Sequence, residues 1–226
     1  MSAYSKKIYA TFDVLAYKSA NLAFSASGTV EKIMTDVSIM VKAGDTLATL
    51  NNDDLVAKYN IATIAMHHAK KDYERQLIAK NSIQQSKLDL YKFKYNNAQA
   101  EVNYIQSLLA KTNLKAPFDG IIAFRYIEAG DVVSAMAAKT AFILQSVRKR
   151  KLVLEFDQKY WKMVRTGDAF EYNIDGYEQT YSGVISKIYP KTNSKTRKML
   201  AEVYASDFVV GLFGTGYIIV KDEESK

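Results

Sequence analysis

The side chains of this 226-residue chain best suited to acid–base or metal chemistry are its only two histidines, His67 and His68. They are adjacent in a stretch that reads as helix, so they point about 100° apart and cannot clamp one ion as an i, i+4 pair would. A structural role is expected for both. The paired carboxylates Asp53-Asp54 open the same stretch, where negative charge stabilises a helix start by a few tenths to about 1 kcal/mol. They read as caps. Met34, Met40, Met66, Met136, Met163 and Met199 could in principle form a soft-metal path. They fall in separate predicted elements, however, and gap-filling core side chains are the simpler reading. There is no cysteine, which excludes disulfides, thiolate metal sites and a cysteine nucleophile while leaving the redox compartment open. A serine or threonine nucleophile would need a histidine base with an orienting acid, and no Gly-x-Ser-x-Gly elbow or comparable setting occurs. No catalytic, cofactor or metal residue is therefore predicted.

Composition agrees with a folded protein. The chain is 48% hydrophobic and 24% charged, outside the range of disordered sequences. Its formal charge of +7 comes from 31 basic against 24 acidic residues, most of the basic ones scattered singly. The one dense cluster, Arg148, Lys149, Arg150 and Lys151, lies between apolar stretches and reads first as a solvated connection, second as an anion or lipid-headgroup contact. Nucleic-acid binding is not implied. No window approaches 18 consecutive apolar residues, and Met1-Ser2-Ala3-Tyr4 lacks the apolar core of a signal peptide. The chain as written is expected to be soluble, with any targeting segment absent from it.

The ten glycines and two prolines mark the element boundaries, since neither type occurs between Asp45 and Ala116. Such a stretch, rich in Ala, Lys, Gln, Leu and Tyr, suits two long helices. Leu55, Tyr59, Ala62, Met66, Ala69 and Tyr73 follow the alternating four-three steps of a coiled-coil seam, and Leu88, Tyr91, Tyr95, Ala98, Val102, Ile105 and Leu109 give a second stripe. Asn81-Ser82 supplies the break, with either residue suited to cap the second helix. Arms of about 30 residues would reach roughly 45 Å. Several of the 16 tyrosines fall on the seam, where rings fill space between helices.

The flanks of this region resemble each other. Ser27-Gly28-Thr29-Val30-Glu31-Lys32-Ile33 leads through Val41-Lys42-Ala43-Gly44-Asp45 to Leu47 and Leu50. Ala116-Pro117-Phe118-Asp119-Gly120-Ile121-Ile122 leads through Glu128-Ala129-Gly130-Asp131-Val132-Val133 to Phe142, Ile143 and Leu144. Each half has a strand opened by Gly, a Gly-Asp turn and a further apolar strand. At these residues the chain resembles the membrane fusion proteins, or periplasmic adaptors (hemolysin-D-like, with most likeness to resistance-nodulation-division efflux adaptors). In that family two biotinyl/lipoyl-type half-motifs flank a helical hairpin and pair into one β-sandwich. Leu114 to Gly120 followed by Gly130-Asp131 is the strongest match. The first half departs from the pattern at Asp36-Val37-Ser38, where an acidic-Gly-Asp turn is common. Leu152-Val153-Leu154-Glu155-Phe156, Thr166-Gly167-Asp168, Tyr181-Ser182-Gly183-Val184-Ile185 and Thr196-Arg197 follow the order of the family's β-barrel domain, and Leu212-Phe213-Gly214-Thr215-Gly216 lacks a proline often found there.

The resemblance implies an α+β fold in three parts. A β-barrel domain takes residues 1–16 and 147–226, a lipoyl-like sandwich of two half-motifs takes 17–51 and 114–146, and an antiparallel α-helical hairpin, a coiled coil, takes 52–113. It implies a periplasmic, inner-membrane-associated adaptor without enzymatic activity or cofactor. The partners would be an inner-membrane transporter, an outer-membrane channel and further copies in an oligomeric ring. Residues assigned to the family's structural turns are Gly28, Gly44, Asp45, Gly120, Gly130 and Asp131. Channel contact is expected at the hairpin tip, within Leu77, Lys80, Asn81, Ser82, Ile83 and Gln84. Many efflux adaptors carry an arginine, a leucine one turn later and a serine beyond. Here the leucine is Leu77, whereas Tyr73 and Gln84 stand at the arginine and serine positions, and Arg75 is turned about 200° away. The arm length resembles drug and metal efflux adaptors more than those of type I protein secretion or ABC export, the alternative system. A lipoyl or biotinyl carrier domain is a further reading, but a carrier needs a modifiable lysine on a tight hairpin and none is present.

The seam generates a direct test. Leu109→Asp should cost several kcal/mol, by placing a carboxylate between the helices, and Lys92→Asp only a few tenths. Equal shifts in the thermal unfolding of the two variants would show the register to be wrong.

Overall fold

The computed structural model describes residues 5–78, 84–137, 139–192 and 195–221. They divide into two units, one made of the residues up to Ala20 together with those from Gln145 onward, the other of Asn21–Leu144.

In the first unit, strands whose apolar residues largely alternate close into a six-stranded antiparallel barrel. Its order is β1 (Ser5–Ala16), β10 (Lys149–Asp157), β13 (Lys198–Ser206), β12 (Thr180–Ile188), β11 (Ala169–Ile174) and β14 (Phe213–Lys221), which returns to β1. Period-two alternation sends Ile8, Ala10, Phe12 and Val14 of β1 inward with Leu152, Leu154 and Phe156 of β10, all essentially inaccessible. Three rings fill the middle: Phe12 meets Phe170 and Tyr172 edge-on at 5.8 and 5.3 Å. Room for them comes from β14, whose inward positions opposite Phe12 and Ala10 are Gly214 and Gly216. A Cβ on Gly216 would strike the Glu171 carbonyl and lie 2.8 Å from the Phe170 ring. The cluster read as a solvated connection is a correction: Lys149, Arg150 and Lys151 open β10. Their alternation with apolar residues begins only at Leu152, which hid the strand. Arg150 is half-buried, its guanidinium donating to the carbonyls of Phe208 at 2.6 Å and Ser146 at 2.8 Å.

The second unit holds two four-stranded sheets around one core. One sheet runs β2 (Ser19–Leu22), β9 (Phe142–Gln145), β7 (Gly120–Arg125), β4 (Met40–Val41); the other runs β6 (Asn113–Lys115), β5 (Thr46–Leu50), β3 (Gly28–Ile33), β8 (Val132–Val133). Each sheet takes two strands from before the helices and two from after them. Leu47, Leu50, Ile122, Phe142 and Leu144 meet between the sheets at 1% exposure or less, each contributing about 1.5–3 kcal/mol by leaving water.

Between β5 and β6 stand α1 (Asp53–Ile78) and α2 (Gln85–Lys111). Ala62, Val102 and Ile105 form their buried seam, with Tyr59 and Met66 packed on it. Nearer the far end the Tyr73 and Tyr95 rings stack at 6.2 Å, so the chain directions are opposed. Leu109 is half-buried and Lys92 exposed. At the base, Asn52 Nδ2 donates to Thr112 Oγ1 at 3.1 Å and Leu50 N to the Thr112 carbonyl at 2.9 Å. The cap expected from Asn81 or Ser82 is a second correction. These two residues lie outside the described ones, and the N-cap is Gln84, extended and without a side-chain cap bond. Leu88, in the first turn of α2, is already buried.

Gly216→Ala should therefore destabilise by about 1–3 kcal/mol, since the carbonyl it meets cannot rotate away, and lower the melting temperature by several degrees. An unchanged melting curve by circular dichroism would mean that β14 does not pack under the rings.

Candidate docking surfaces

The predicted turn residues come together as interlocking pairs. Gly44 has φ 91° and Gly130 φ 95°, a region open to glycine at little cost. In each turn the following aspartate folds back: Asp45 Oδ2 accepts from Lys42 N at 2.8 Å, Asp131 Oδ2 from Glu128 N at 2.8 Å. Each turn then exchanges two backbone bonds with the other half-motif. Gly44 N donates to the Ala116 carbonyl at 2.8 Å and Ala116 N to the Asp45 carbonyl at 2.9 Å. Gly130 N donates to the Val30 carbonyl at 2.9 Å and Val30 N to the Asp131 carbonyl at 2.8 Å. Gly28 pairs with Val133 and Gly120 with Val41, so the two strand-opening glycines also sit in strands that cross between halves.

The departure at Asp36-Val37-Ser38 has its own fastening, which sequence reasoning missed. Ser38 takes φ 68° where a glycine would be easier, and Ser38 N donates to the Ile122 carbonyl at 2.8 Å. Arg125 Nε donates to Asp36 Oδ1 at 3.0 Å, and its Nη1 meets Glu128 at 2.7 Å and the Ile127 carbonyl at 2.8 Å. The Asp36 carboxyl is held below its ordinary pKa, first by the Val37 N–H and then by Arg125. Its contribution is in place at neutral pH and is lost as acidification passes that lowered value. A lone arginine closing a strand gave no sequence signal of this clasp.

At the far end of the helices Leu77 is 44% and Ile78 88% exposed, and Gln84 is exposed. Lys80, Asn81, Ser82 and Ile83 lie outside the described residues. Tyr73 is engaged by its stack on Tyr95, and Arg75 pairs with Asp72 while its Nε donates to the Lys71 carbonyl at 3.4 Å. Gln85 Nε2 donates to Asp89 Oδ1 at 3.0 Å. Apolar groups remain uncovered on the faces away from the seam, among them Ile61, Ile64, Leu90 and Phe93, each at least half exposed.

His67 and His68 are both exposed on α1, and among the described residues no group of three or more His, Cys, Asp or Glu side chains could hold a metal ion. The methionine reading needs correction. Met66, Met163 and Met199 are half-buried or buried, but Met34, Met40 and Met136 are 55%, 70% and 97% exposed, because they sit at a strand end, on a two-stranded-contact edge and in a turn, not in the core. No described helix is long and apolar enough to cross a membrane. Because β5 runs into α1 and α2 into β6, helices occupy the place where a carrier domain would present its lysine.

No family model matches the chain. It is 24% identical over 208 residues to the cobalt-zinc-cadmium resistance protein CzcB of Cupriavidus metallidurans, covering 82% of this chain. It spans 39% of the length of the curated CzcB relatives it matches. Among solved structures it is similar in fold to a MacA-MexA chimeric protein containing the Pseudomonas aeruginosa MexA α-hairpin domain, with TM-score 0.90 and 18% identity, over 96% of this chain and 82% of that one. It is similar also to the membrane fusion protein Spr0693 of Streptococcus pneumoniae R6, with TM-score 0.76 and 14% identity over 94% and 98% of the two chains. ZneB of Cupriavidus metallidurans follows at TM-score 0.66 and 15% identity, over 97% and 72%.

Asp131→Ala removes the side chain that closes one interlocking turn and should cost about 1 kcal/mol, the value of such a cap. Gly130→Ala should cost a similar amount through its positive φ. Chemical denaturation reads both, and two silent variants would mean that the turn does not fasten the sheets.

Proposed function

We propose that this chain, which resembles the membrane fusion proteins in both fold and sequence, is the body of a periplasmic adaptor in a tripartite efflux system. In this reading it links an inner-membrane transporter to an outer-membrane channel and does so without chemistry of its own. The observation that carries the reading is the interlocked pair of half-motifs with two long helices inserted between them. That arrangement holds a lever at a fixed sheet edge, which an adaptor requires and an enzyme or a carrier does not.

The helical pair acts as an antiparallel hairpin whose tip, Leu77, Lys80, Asn81, Ser82, Ile83 and Gln84, meets the channel. At about 1.5 Å per residue, arms of 26 and 27 residues reach roughly 40 Å. This length and the similarity to a cobalt-zinc-cadmium resistance protein favour efflux of metal cations or small molecules over protein export. The exposed Ile61, Ile64, Leu90 and Phe93 suit contact with neighbouring copies in a ring. A single tip contact is small, so affinity comes from several copies engaging at once.

Expressed in a strain lacking the adaptor, the wild-type chain in its full natural context restores export and tolerance of the exported cation or drug. Leu77→Asp combined with Gln84→Asp should abolish export while leaving the protein level, its melting temperature and its co-purification with the transporter unchanged. Export that survives the double change at normal protein levels would place channel contact elsewhere.

A further inference from the structure

At one end of the barrel, where β1 begins and β10 ends, lysines and aromatic rings alternate on an exposed turn. Asp157 caps the 3₁₀ turn Gln158–Tyr160 by accepting from Lys159 N at 2.9 Å. The turn runs on into Trp161, the chain's only tryptophan, which is 59% exposed. Lys159 Nζ lies over the Tyr160 ring at 4.9 Å, Lys6 Nζ over the same ring at 5.2 Å, and Lys162 Nζ over Trp161 at 5.4 Å. Beside them opens a cleft of about 660 Å³ whose lining includes Lys7, Glu155, Asp157, Arg197 and Lys198. Lys159 pairs there with Asp157 at 3.4 Å and Lys198 with Glu155 at 3.0 Å, which leaves Lys6, Lys162 and Arg197 as the basic groups without a carboxylate partner in those two pairs. Arg197 is exposed there, held at φ 55°.

Tyr160 is half-buried and packs against the barrel core, but nothing in the barrel requires the exposed tryptophan beside it. Trp161 fills no core position, and a lysine over an exposed ring remains largely hydrated. Two kinds of partner would use such a surface, an anionic bilayer or an acidic protein. Protein–protein interfaces place tryptophan in desolvated pockets and are depleted in lysine, whereas here the ring stands on a protruding turn with lysines on both sides. At a bilayer interface both features fit. An indole settles among the headgroups, and flanking ammonium groups reach the phosphates on flexible stems.

We propose that this end of the barrel rests on an anionic membrane surface, with Trp161 entering the headgroup layer and Lys6, Lys159, Lys162 and Arg197 meeting lipid phosphates. The chain's charge of +7 draws it toward such a surface, and the attraction weakens as salt screens it. The proposal concerns the barrel alone and stands whether or not the chain serves an exporter.

Because Trp161 is the single tryptophan, its fluorescence reads the contact directly. The chain is titrated with phosphatidylcholine vesicles, with vesicles that also contain phosphatidylglycerol, and with soluble polyglutamate. Vesicles containing phosphatidylglycerol should shift the emission to the blue, make it quenchable by brominated acyl chains, and sediment the protein. Phosphatidylcholine alone should do little, and added salt should reverse the effect. Lys159→Gln combined with Lys162→Gln should weaken partitioning roughly 25-fold, from a contribution of about fivefold per lysine, with an unchanged melting curve because both side chains are exposed. Absence of any shift on the anionic vesicles would overturn the proposal. Undiminished binding by the double variant would overturn it too, as would a Trp161 response to polyglutamate but not to vesicles, which would assign the surface to an acidic protein.

Discussion

Everything in the second unit depends on a backbone exchange at two turns. A Gly-Asp pair with the glycine at positive φ lets the chain fold back on its own aspartate and present one N–H and one carbonyl to a strand of the opposite half. Because Gly44-Asp45 engages Ala116 and Gly130-Asp131 engages Val30, neither half-motif satisfies its turn without the other. The obligation to pair buried backbone groups thereby becomes a rule that the two halves assemble together. The same device closes a turn of the barrel, where Gly167 takes φ 100° and Asp168 Oδ2 accepts from Arg165 N at 2.7 Å. There Gly167 N donates to the Ile185 carbonyl and Ile185 N to that of Asp168, each at 2.9 Å.

Interlocking is what permits the insertion of two helices. Closing a flexible gap of roughly 60 residues would cost about 4 kcal/mol in chain entropy, comparable with the total net worth of the four exchanged bonds at about 1 kcal/mol each. The helices reduce that cost by packing on one another, which leaves the gap far from flexible. Their base is tied by Asn52, Leu50 and Thr112 to the same strands that the turns secure. The helical pair itself is thin. Among the described residues only Ala62, Leu88, Val102 and Ile105 are buried hydrophobics along it, so its local stability is expected to lie well below that of the sheets and the barrel.

Much of this was legible from residue spacing. The seam Leu55, Tyr59, Ala62, Met66, Ala69 and Tyr73 coincides with the less exposed face of α1, because a heptad is a geometric statement about one helix and its partner. The turn residues were legible because glycine and aspartate do a local job that few other residues can. What failed depended on the environment. Exposed methionines look like buried ones in a sequence. A strand whose first three residues are basic carries no period-two signal, which is why Lys149–Lys151 passed for a loop. The Arg125 clasp joins residues 89 apart and has no motif at either end. A cap was expected at Asn81 or Ser82 from residue type alone; those residues lie outside the described ones, and α2 begins after Gln84, which makes no side-chain cap bond.

The stacked pair Tyr73 and Tyr95 links these points to function. At the position where many of the efflux adaptors that this chain resembles carry an arginine, this chain carries a ring that packs against the opposite helix. The nearby Arg75 is engaged with Asp72 and the Lys71 carbonyl. The stack ties the two arms together, and among the described residues Leu77, Ile78 and Gln84 are left exposed beyond it. Contact made through Leu77, Ile78 and Gln84 would be apolar with amide hydrogen bonds, which salt screens little.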